Sequence, residues 1–529
     1  MRKILQSSHC STDSGIENCG HNSSSMSATV PQLLADYCIC RTLQERLRIE
    51  VMYRQEPHAS DYLYKQVAIH IRDLIDRGTL HPGERLPSIR RLSGQMKVSI
   101  STVLQAYMTL EADHRIEAKP QSGFYVKMNR EMPPEPKPSN PSRVVTQVSV
   151  NELVTQVFLA SHDPGVVQLG LSTPSSEYLP VKRLTKLLAA AARNDPKRAV
   201  NYDFPPGYGP LRHEIAKRSV ESGCKLSERE IVTTNGTMEA LNLCLRAVAK
   251  PGDIIAIESP TFYGTLQSIE SLGMKALEIP TDPHDGIILS ALSSALKRNP
   301  VKACLLVPNF NNPLGSCVPE KNKKELVKLL ARRNIPLIED DIYGDLCFGL
   351  SRPLTAKAYD TEGLVLLCSS FSKTLAPGYR VGWAAPGKFK PQVQRLKFMS
   401  SMACATAPQV AVADFLRSGG YERHLRTMRK NLAAQVQRMT HAIARYFPEG
   451  TKVTRPQGGL ALWVELPRSV DSLELHRKAL QEHVSIAPGP IFSAKQKYKN
   501  FIRISCGEPW TDKIDQAMQT LGNLASKCL

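Results

Sequence analysis

A lysine that follows an apolar run and sits among hydroxyls and a guanidinium is equipped for a specific chemistry. Lys373 lies in Ser369-Ser370-Phe371-Ser372-Lys373-Thr374, after the apolar run Leu364–Cys368 and shortly before Arg380. Its amine can condense with an aldehyde to give a Schiff base, while Ser370, Ser372 and Arg380 are suited to hold a phosphate dianion. An isolated Ser-Lys pair would be read as a solvated loop, so the neighbours carry the argument. A second phosphate-type feature stands upstream. Asn235-Gly236-Thr237-Met238-Glu239 follows the run Ile231–Thr234 and opens a helical pattern. The amides of Thr237 and Met238 are then free to meet an anion at a helix N-terminus.

These residues must be brought together by their elements. Beyond about residue 150, short β-branched runs (Ile231–Thr234, Asp253–Ile257, Lys275–Ile279, Cys304–Val307, Leu337–Asp340, Leu364–Cys368) alternate with helical stretches. That alternation predicts an α/β sheet covered by helices, in which functional groups collect in the loops after the strands. Those loops hold the candidate residues.

Read together and in order, Asn235-Gly236-Thr237-Met238, Pro260-Thr261-Phe262-Tyr263-Gly264, Asn311-Asn312-Pro313-Leu314-Gly315, Asp340-Asp341-Ile342-Tyr343, the Lys373 run through Trp383, and Phe501-Ile502-Arg503-Ile504-Ser505 resemble the class I aminotransferases. These are fold type I enzymes dependent on pyridoxal 5′-phosphate (PLP). The resemblance covers nearly all of 165–529, and it implies Lys373 as the Schiff-base lysine. It also implies Phe262 stacked on the pyridine ring, Asn312 and Tyr343 on the phenolic oxygen, and Asp340 on the ring nitrogen, with Asp341 as a nearby decoy. A carboxylate there keeps the nitrogen protonated, so the ring can accept the electrons left when a substrate Cα–H is removed. Arg503 is implied to clamp a substrate α-carboxylate. Tyr202, before Pro205-Pro206-Gly207-Tyr208-Gly209, is implied to reach the phosphate from a neighbouring subunit, hence a homodimer.

The N-terminal part of the chain, up to about residue 127, has a different pattern. Val67, Ile71, Leu74 and Ile75 recur at helical spacing over Leu63–Ile75, with Gly78 as a stop. A short helix from Ser88 to about Gln95, a break at Lys97-Val98, and a longer helix capped by Ser99 and carrying Val103, Tyr107 and Leu110 follow. Two β-like runs within Arg115–Val126, around Pro120-Gln121-Ser122-Gly123, read as a wing. The order is that of a winged helix-turn-helix. Tyr64-Lys65-Gln66, Gly83 through Arg90, Val98-Ser99, Thr102-Val103, Ala106-Tyr107 and Ser122 through Val126 resemble the GntR-type DNA-binding domain. Ser88, Arg90, Ser101, Thr102 and Gln105 are the positions expected to face DNA, the first four at phosphate and Gln105 at a base edge. Ile100 stands where that family often has an arginine, and His114-Arg115 where it usually has a glycine.

Composition fits both parts. The 68 Lys and Arg against 49 Asp and Glu leave a net charge of +19, which favours a polyanionic partner and argues against nothing else, since some enzymes are simply basic. An apolar fraction of 42% with 22% charged residues excludes wholesale disorder, collagen-like repeats and a coiled-coil fibre. The 13 cysteines form no CxxC, and Cys304 and Cys368 sit inside apolar runs as small hydrophobes, which points to a reducing cytoplasm. No stretch is long and apolar enough for a membrane span, and no secretory signal is evident.

The expected organisation is a mobile extension over 1–60, a winged helix over 61–127, a proline-rich spacer over 128–150 and the aminotransferase-like domain over 151–529. The fold class is therefore multidomain: an N-terminal winged helix-turn-helix, then an α/β PLP-dependent transferase of fold type I with a large domain and a smaller C-terminal subdomain. This fusion resembles the MocR subfamily of GntR-type regulators. The resemblance implies a PLP-binding, cytoplasmic transcription regulator whose partners are double-stranded operator DNA and a small amine or amino acid effector. The alternative is a working aminotransferase for which the small domain is incidental. An RNA-binding or structural protein is poorly supported, because the basic surplus is spread along the chain.

Overall fold

The computed structural model describes residues 62–77, 79–80, 84–113, 115–119, 122–127, 132–159 and 165–529. The extension over 1–60, Gly78, Gly83, His114 and the wing tip Pro120-Gln121 lie outside the described residues. The described residues divide into two compact units, one of 62–74 with Ile89–Ala106, the other of Ile75–Ser88 with Tyr107–Leu529.

In the first unit, α1 (Leu63–Asp76) buries Val67, Ala68 and Ile71 at helical spacing. A tight turn joins α2 (Ile89–Met96) to α3 (Ile100–Ala112). The Ser93 hydroxyl donates to the Val98 carbonyl at 2.6 Å and closes that turn, and the Ser99 hydroxyl accepts the Thr102 amide at 3.0 Å as the helix cap. In the second unit, β1 (Ile116–Lys119) and β2 (Gly123–Val126) form the antiparallel wing. The wing is held by Leu86 N–H to Phe124 O and Val126 N–H to Glu84 O, both 2.8 Å. The Tyr107 hydroxyl donates to Pro87 O at 2.8 Å.

The large sheet is built from β3 (Thr146–Gln147), β4 (Val232–Asn235), β5 (Ile254–Ser259), β6 (Lys275–Asp282), β7 (Gly286–Ile287), β8 (Val301–Leu306), β9 (Leu337–Asp340), β10 (Val365–Ser370) and β11 (Val381–Ala385). Its order is β3-β6-β5-β8-β9-β10-β11-β4, with β7 paired beside β6. The run β6-β5-β8-β9-β10 is parallel, and β11 is antiparallel to both β10 and β4. The C-terminal ends of β4, β5, β8, β9 and β10 therefore share one edge. Central strands such as β10 are buried on both faces, which explains why they read as continuous apolar runs rather than alternating ones. A smaller antiparallel sheet, ordered β12 (Lys452–Val453), β13 (Ala461–Glu465), β15 (Phe501–Ser505), β14 (Ala487–Pro488), forms the C-terminal subdomain with its own core around Leu462, Ile502 and Met518.

The proline-rich segment differs from the expected spacer. It is extended, but over 132–150 it is strapped onto the second unit. Val453 N–H donates to Pro134 O at 2.9 Å, the Glu135 carboxylate meets His284 at 2.8 Å and accepts Arg455 N–H at 3.0 Å, and Ser139 pairs with Thr281 through two hydrogen bonds. β3 then completes the sheet edge against β6. Prolines suit such an edge because they offer no amide that needs a partner, while the serine and glutamate side chains between them bond across. None of the nine described cysteines is disulfide-bonded, and among the described residues no helix is long and apolar enough to cross a membrane.

Candidate functional site

A cavity of about 150 Å³ opens at the shared C-terminal edge of the sheet. Lys373 follows β10, Asp340 closes β9, Asn312 lies in the loop after β8, Phe262 in the loop after β5, and Thr237 and Met238 follow β4; all line it, with Tyr343, Ser372 and Arg380. Strand ends at one edge place residues more than a hundred positions apart within one pocket, a consequence of the parallel topology. The sheet also separates Asp340 from Asp341. Asp340 faces the cavity, whereas Asp341 is turned away, bonded to Arg352 and accepting the Asn309 side-chain amide at 2.8 Å.

The phosphate end is a cup. Gly236 takes φ +77, and α4 (Thr237–Val248) begins directly after it. The Arg380 guanidinium lies against Gly236, so that any Cβ there would collide with it. Arg380 donates to Asn235 O at 3.0 Å and reaches the Ser372 hydroxyl at 3.5 Å. Among the described residues, the buried Thr237 hydroxyl has no hydrogen-bond partner. At the other end, the fully buried Arg503 donates to the Asn312 side-chain oxygen at 3.2 Å and to Gly170 O and lies beside the Tyr263 hydroxyl, while among the described residues its Nε makes no well-formed hydrogen bond. The Asn312 amide in turn donates to the Tyr343 hydroxyl at 3.1 Å. Buried polar atoms without partners are costly, so the two orphaned groups fit a guest carrying a phosphate at one end and a carboxylate at the other.

The electrostatics follow from burial. Burial, reinforced by Arg503 and Arg380 and opposed by Asp340, lowers the Lys373 amine to about 8. Burial pushes the Asp340 carboxyl up to about 7, against the Ile342 amide that it accepts, and raises the Tyr343 phenol. Burial likewise draws the Arg503 guanidinium below its ordinary value. A lysine close to neutral pH in its titration is a competent nucleophile toward an aldehyde.

Two expected residues lie elsewhere. The Ser370 hydroxyl accepts the Ser372 amide at 3.3 Å, and Ser370 lines a separate cavity beside Arg218. Tyr202 is 68% exposed and absent from the cavity wall. It stacks on Phe204 at 5.5 Å, and Phe204 meets Phe398 at 5.8 Å on the same surface. Conversely, Gly170, Ser172, Thr173 and Tyr263 went unnoticed in the sequence. The Lys373 amine donates to Ser172 O at 2.5 Å and lies 3.5 Å from the Thr173 hydroxyl, and Tyr263 lines the cavity. The available signal was Gly170 inside an apolar run before Ser-Thr-Pro: a Cβ there would press on the Ile486 backbone at 3.0 Å.

On the winged helix, α3 buries Val103, Ala106, Tyr107 and Leu110 and turns Ile100, Ser101, Leu104, Gln105 and Met108 outward. Ser88 and Arg90 are also exposed, and Thr102 is half-buried with its hydroxyl 2.7 Å from that of Ser99.

Residues 63–126 match the profile of the bacterial regulatory proteins of the gntR family, and residues 166–521 match that of aminotransferases of class I and II. The fold and site thus define a winged-helix regulator fused to an aminotransferase domain. The chain belongs to this MocR-type family: it is 41% identical over 466 residues to the uncharacterized HTH-type transcriptional regulator YdcR of Escherichia coli, covering 88% of this chain and 99% of that one. It is 38% identical, with the same coverage, to YjiR of that organism. Among solved structures, the α-aminoadipate aminotransferase LysN of Thermus thermophilus is similar at TM-score 0.66 and 27% identity, covering 72% of this chain and 96% of that one. The kynurenine aminotransferase of Pyrococcus horikoshii is similar at TM-score 0.67 and 28% identity, covering 72% and 96%.

Proposed function

We propose that this protein is a cytoplasmic, PLP-binding transcription regulator that binds operator DNA through the winged helix and senses a small amine or amino acid at Lys373. The observation that carries this reading is the convergence of Lys373, Asp340, Asn312, Tyr343 and Arg380 on one cavity, in a chain whose α3 presents an uncovered polar and apolar face. When bound, PLP supplies an aldehyde that takes up amines and a ring that withdraws electrons from them. The chain's own groups do the rest. Arg380, Thr237 and Ser372 hold the phosphate end, Asp340 meets the ring nitrogen, and Phe262 covers the ring face. Arg503 orients a carboxylate, and Lys373 holds or releases a proton at its Nζ.

On this reading 61–127 is the DNA-binding domain and 151–529 the cofactor domain, with the segment 132–150 strapped to the latter rather than free as a spacer. Arg90, Ser88, Ser101 and Thr102 meet phosphate and Gln105 a base edge. The outward Ile100, Leu104 and Met108 add apolar surface of the kind that contacts thymine methyls. A homodimer is supported by the exposed aromatic surface of Tyr202, Phe204 and Phe398, which a second copy would cover while bringing Tyr202 to the neighbouring phosphate end.

The rival, a working aminotransferase, is favoured by one observation: Lys373, Asp340 and Tyr343 line the cavity, and Arg503 bonds to Asn312 on its wall. Selection of bound DNA from a random pool, together with amino acid half-reactions in the same preparation, separates the two. A defined binding sequence with slow or absent half-reactions is expected. Rapid turnover with no sequence preference would leave the aminotransferase.

A further inference from the structure

The ion pair of the buried Lys397 and the partly buried Glu239 has no part in the chemistry assigned above, yet it stands between the phosphate cup and the exposed aromatic surface. Lys397 is 1% exposed; its ammonium donates to Glu239 at 2.7 Å and to the Ser401 hydroxyl at 2.8 Å. Ser401 donates to the other Glu239 oxygen at 2.6 Å. Glu239 in turn accepts the backbone amide of Asn235 at 2.6 Å, and Asn235 is the residue whose carbonyl Arg380 holds. Burial would raise the Glu239 carboxyl, but the bonds from Lys397, Ser401 and Asn235 hold it below its ordinary value. The cup backbone is thereby fixed on one side by Arg380 and on the other by Glu239.

Lys397 and Ser401 belong to α5 (Lys390–Ser401), the helix that presents Phe398 and Met399, 51% and 70% exposed, to solvent. The chain after α5 is bound to the Tyr202 segment: Cys404 pairs with Asp203, and the Thr406 hydroxyl donates to Asn201 O at 3.0 Å. That segment is bonded to β4, the strand leading into the cup, through Thr233 N–H to Pro206 O at 2.9 Å. Cup, α5 and aromatic surface thus form one closed circuit of bonds, with Glu239–Lys397 as its link.

We infer that Glu239 and Lys397 are positioning residues that join the phosphate cup to the surface that pairs with a second copy of this chain, so that phosphate-end occupancy and dimer formation strengthen each other. The inference rests on the reading of Lys373 as the PLP lysine and of the aromatic surface as a dimer face. A buried ion pair holds its neighbours in one arrangement, and removing one partner leaves the other charge uncompensated, here directly beneath Asn235. Coupling between two binding events is reciprocal, so PLP loading must tighten the dimer by the factor by which dimerisation tightens PLP.

The test uses the full chain and PLP itself. Subunit exchange between two fluorescently labelled pools is followed with and without PLP, alongside PLP affinity, for the wild type, Lys397→Met, Ser401→Ala and Lys397→Arg. Expected are slower exchange of the wild type on PLP loading, by a factor in the range of roughly 5–150 typical of coupled sites. Lys397→Met should lose that factor and bind PLP about tenfold more weakly or worse, with Ser401→Ala intermediate and Lys397→Arg recovering part of the effect. A merely structural pair would lower the melting temperature and leave both the factor and the affinity in place. If Lys397→Met fails to fold, Ser401→Ala decides. Wild-type exchange indifferent to PLP, or unchanged coupling in the folded variants, overturns the inference. If instead borohydride labels no Lys373 in the wild type, the PLP reading itself has failed.

Discussion

The winged helix and the aminotransferase-like domain place their functional residues under opposite constraints. Around Lys373 the candidates are buried and bonded to one another: Arg503 to Asn312, Asn312 to Tyr343, Arg380 to the cup backbone. Ser88, Arg90, Ser101 and Gln105 are exposed on the helix-turn-helix. Buried polar residues must find partners, so their geometry limits what they can do. Exposed ones are limited only by what approaches them. The first region therefore defines its guest closely, while the second defines the kind of partner and not its sequence.

The largest effect that would break this contrast comes from Lys373. Lys373→Ala is expected to abolish the borohydride-reducible near-visible absorption of the PLP-loaded protein, because among the described residues no other amine lines the cavity. Retention of that band, with label at another lysine, would show that burial and convergence had picked the wrong residue.

Next in size is the boundary between the regions. Removing residues 1–131 is expected to abolish DNA binding and leave a PLP-binding body of unchanged melting temperature. Removing 1–150 also strips β3 and the bonds of Glu135 and Ser139, and should lower that temperature by several degrees. Equal stability of the two fragments would mean that the strap is a passive spacer.

That strap marks where the sequence was least informative. The sheet strands were legible because each is an apolar run, and the Lys373 loop was legible because hydroxyls and an arginine crowd one lysine. Proline density, by contrast, reads as a solvated spacer, and the partners that hold it, Thr281, His284 and Val453, are remote in sequence. Ser370 shows a similar limit: proximity to Lys373 in sequence does not by itself place a hydroxyl on the cavity wall, and Ser370 bonds to the Ser372 amide and lines a neighbouring cavity. The Gly170–Thr173 segment carried only a glycine as its signal, and the close approach that requires it appears only in three dimensions.

A smaller effect concerns pH. The neutral amine is the nucleophile, and burial lowers Lys373 to about 8, so the rate of PLP uptake by the apoprotein should rise through about pH 8 and level off above it. A rate still climbing toward the ordinary lysine range would mean that Lys373 is solvated in the apoprotein.

The smallest effects lie on the exposed side. Arg90→Ala should weaken binding to all DNA and flatten its salt dependence. Gln105→Ala should cost ~1–3 kcal/mol of preference for cognate over random sequence. Neither should change the PLP spectrum. Equal losses on both kinds of DNA for Gln105→Ala would assign that residue to the backbone instead.

The measurement that bears most directly on a sensor joined to a DNA reader is the affinity for a DNA sequence selected from a random pool, compared between apoprotein and PLP-loaded protein, for the wild type and Lys373→Ala. The expected result is a severalfold difference for the wild type and none for Lys373→Ala, with amino acid turnover slow or absent. Identical affinities in all four cases, together with transamination in the ordinary enzyme range of ~1–10³ s⁻¹, would contradict it and leave an aminotransferase carrying an unused winged helix.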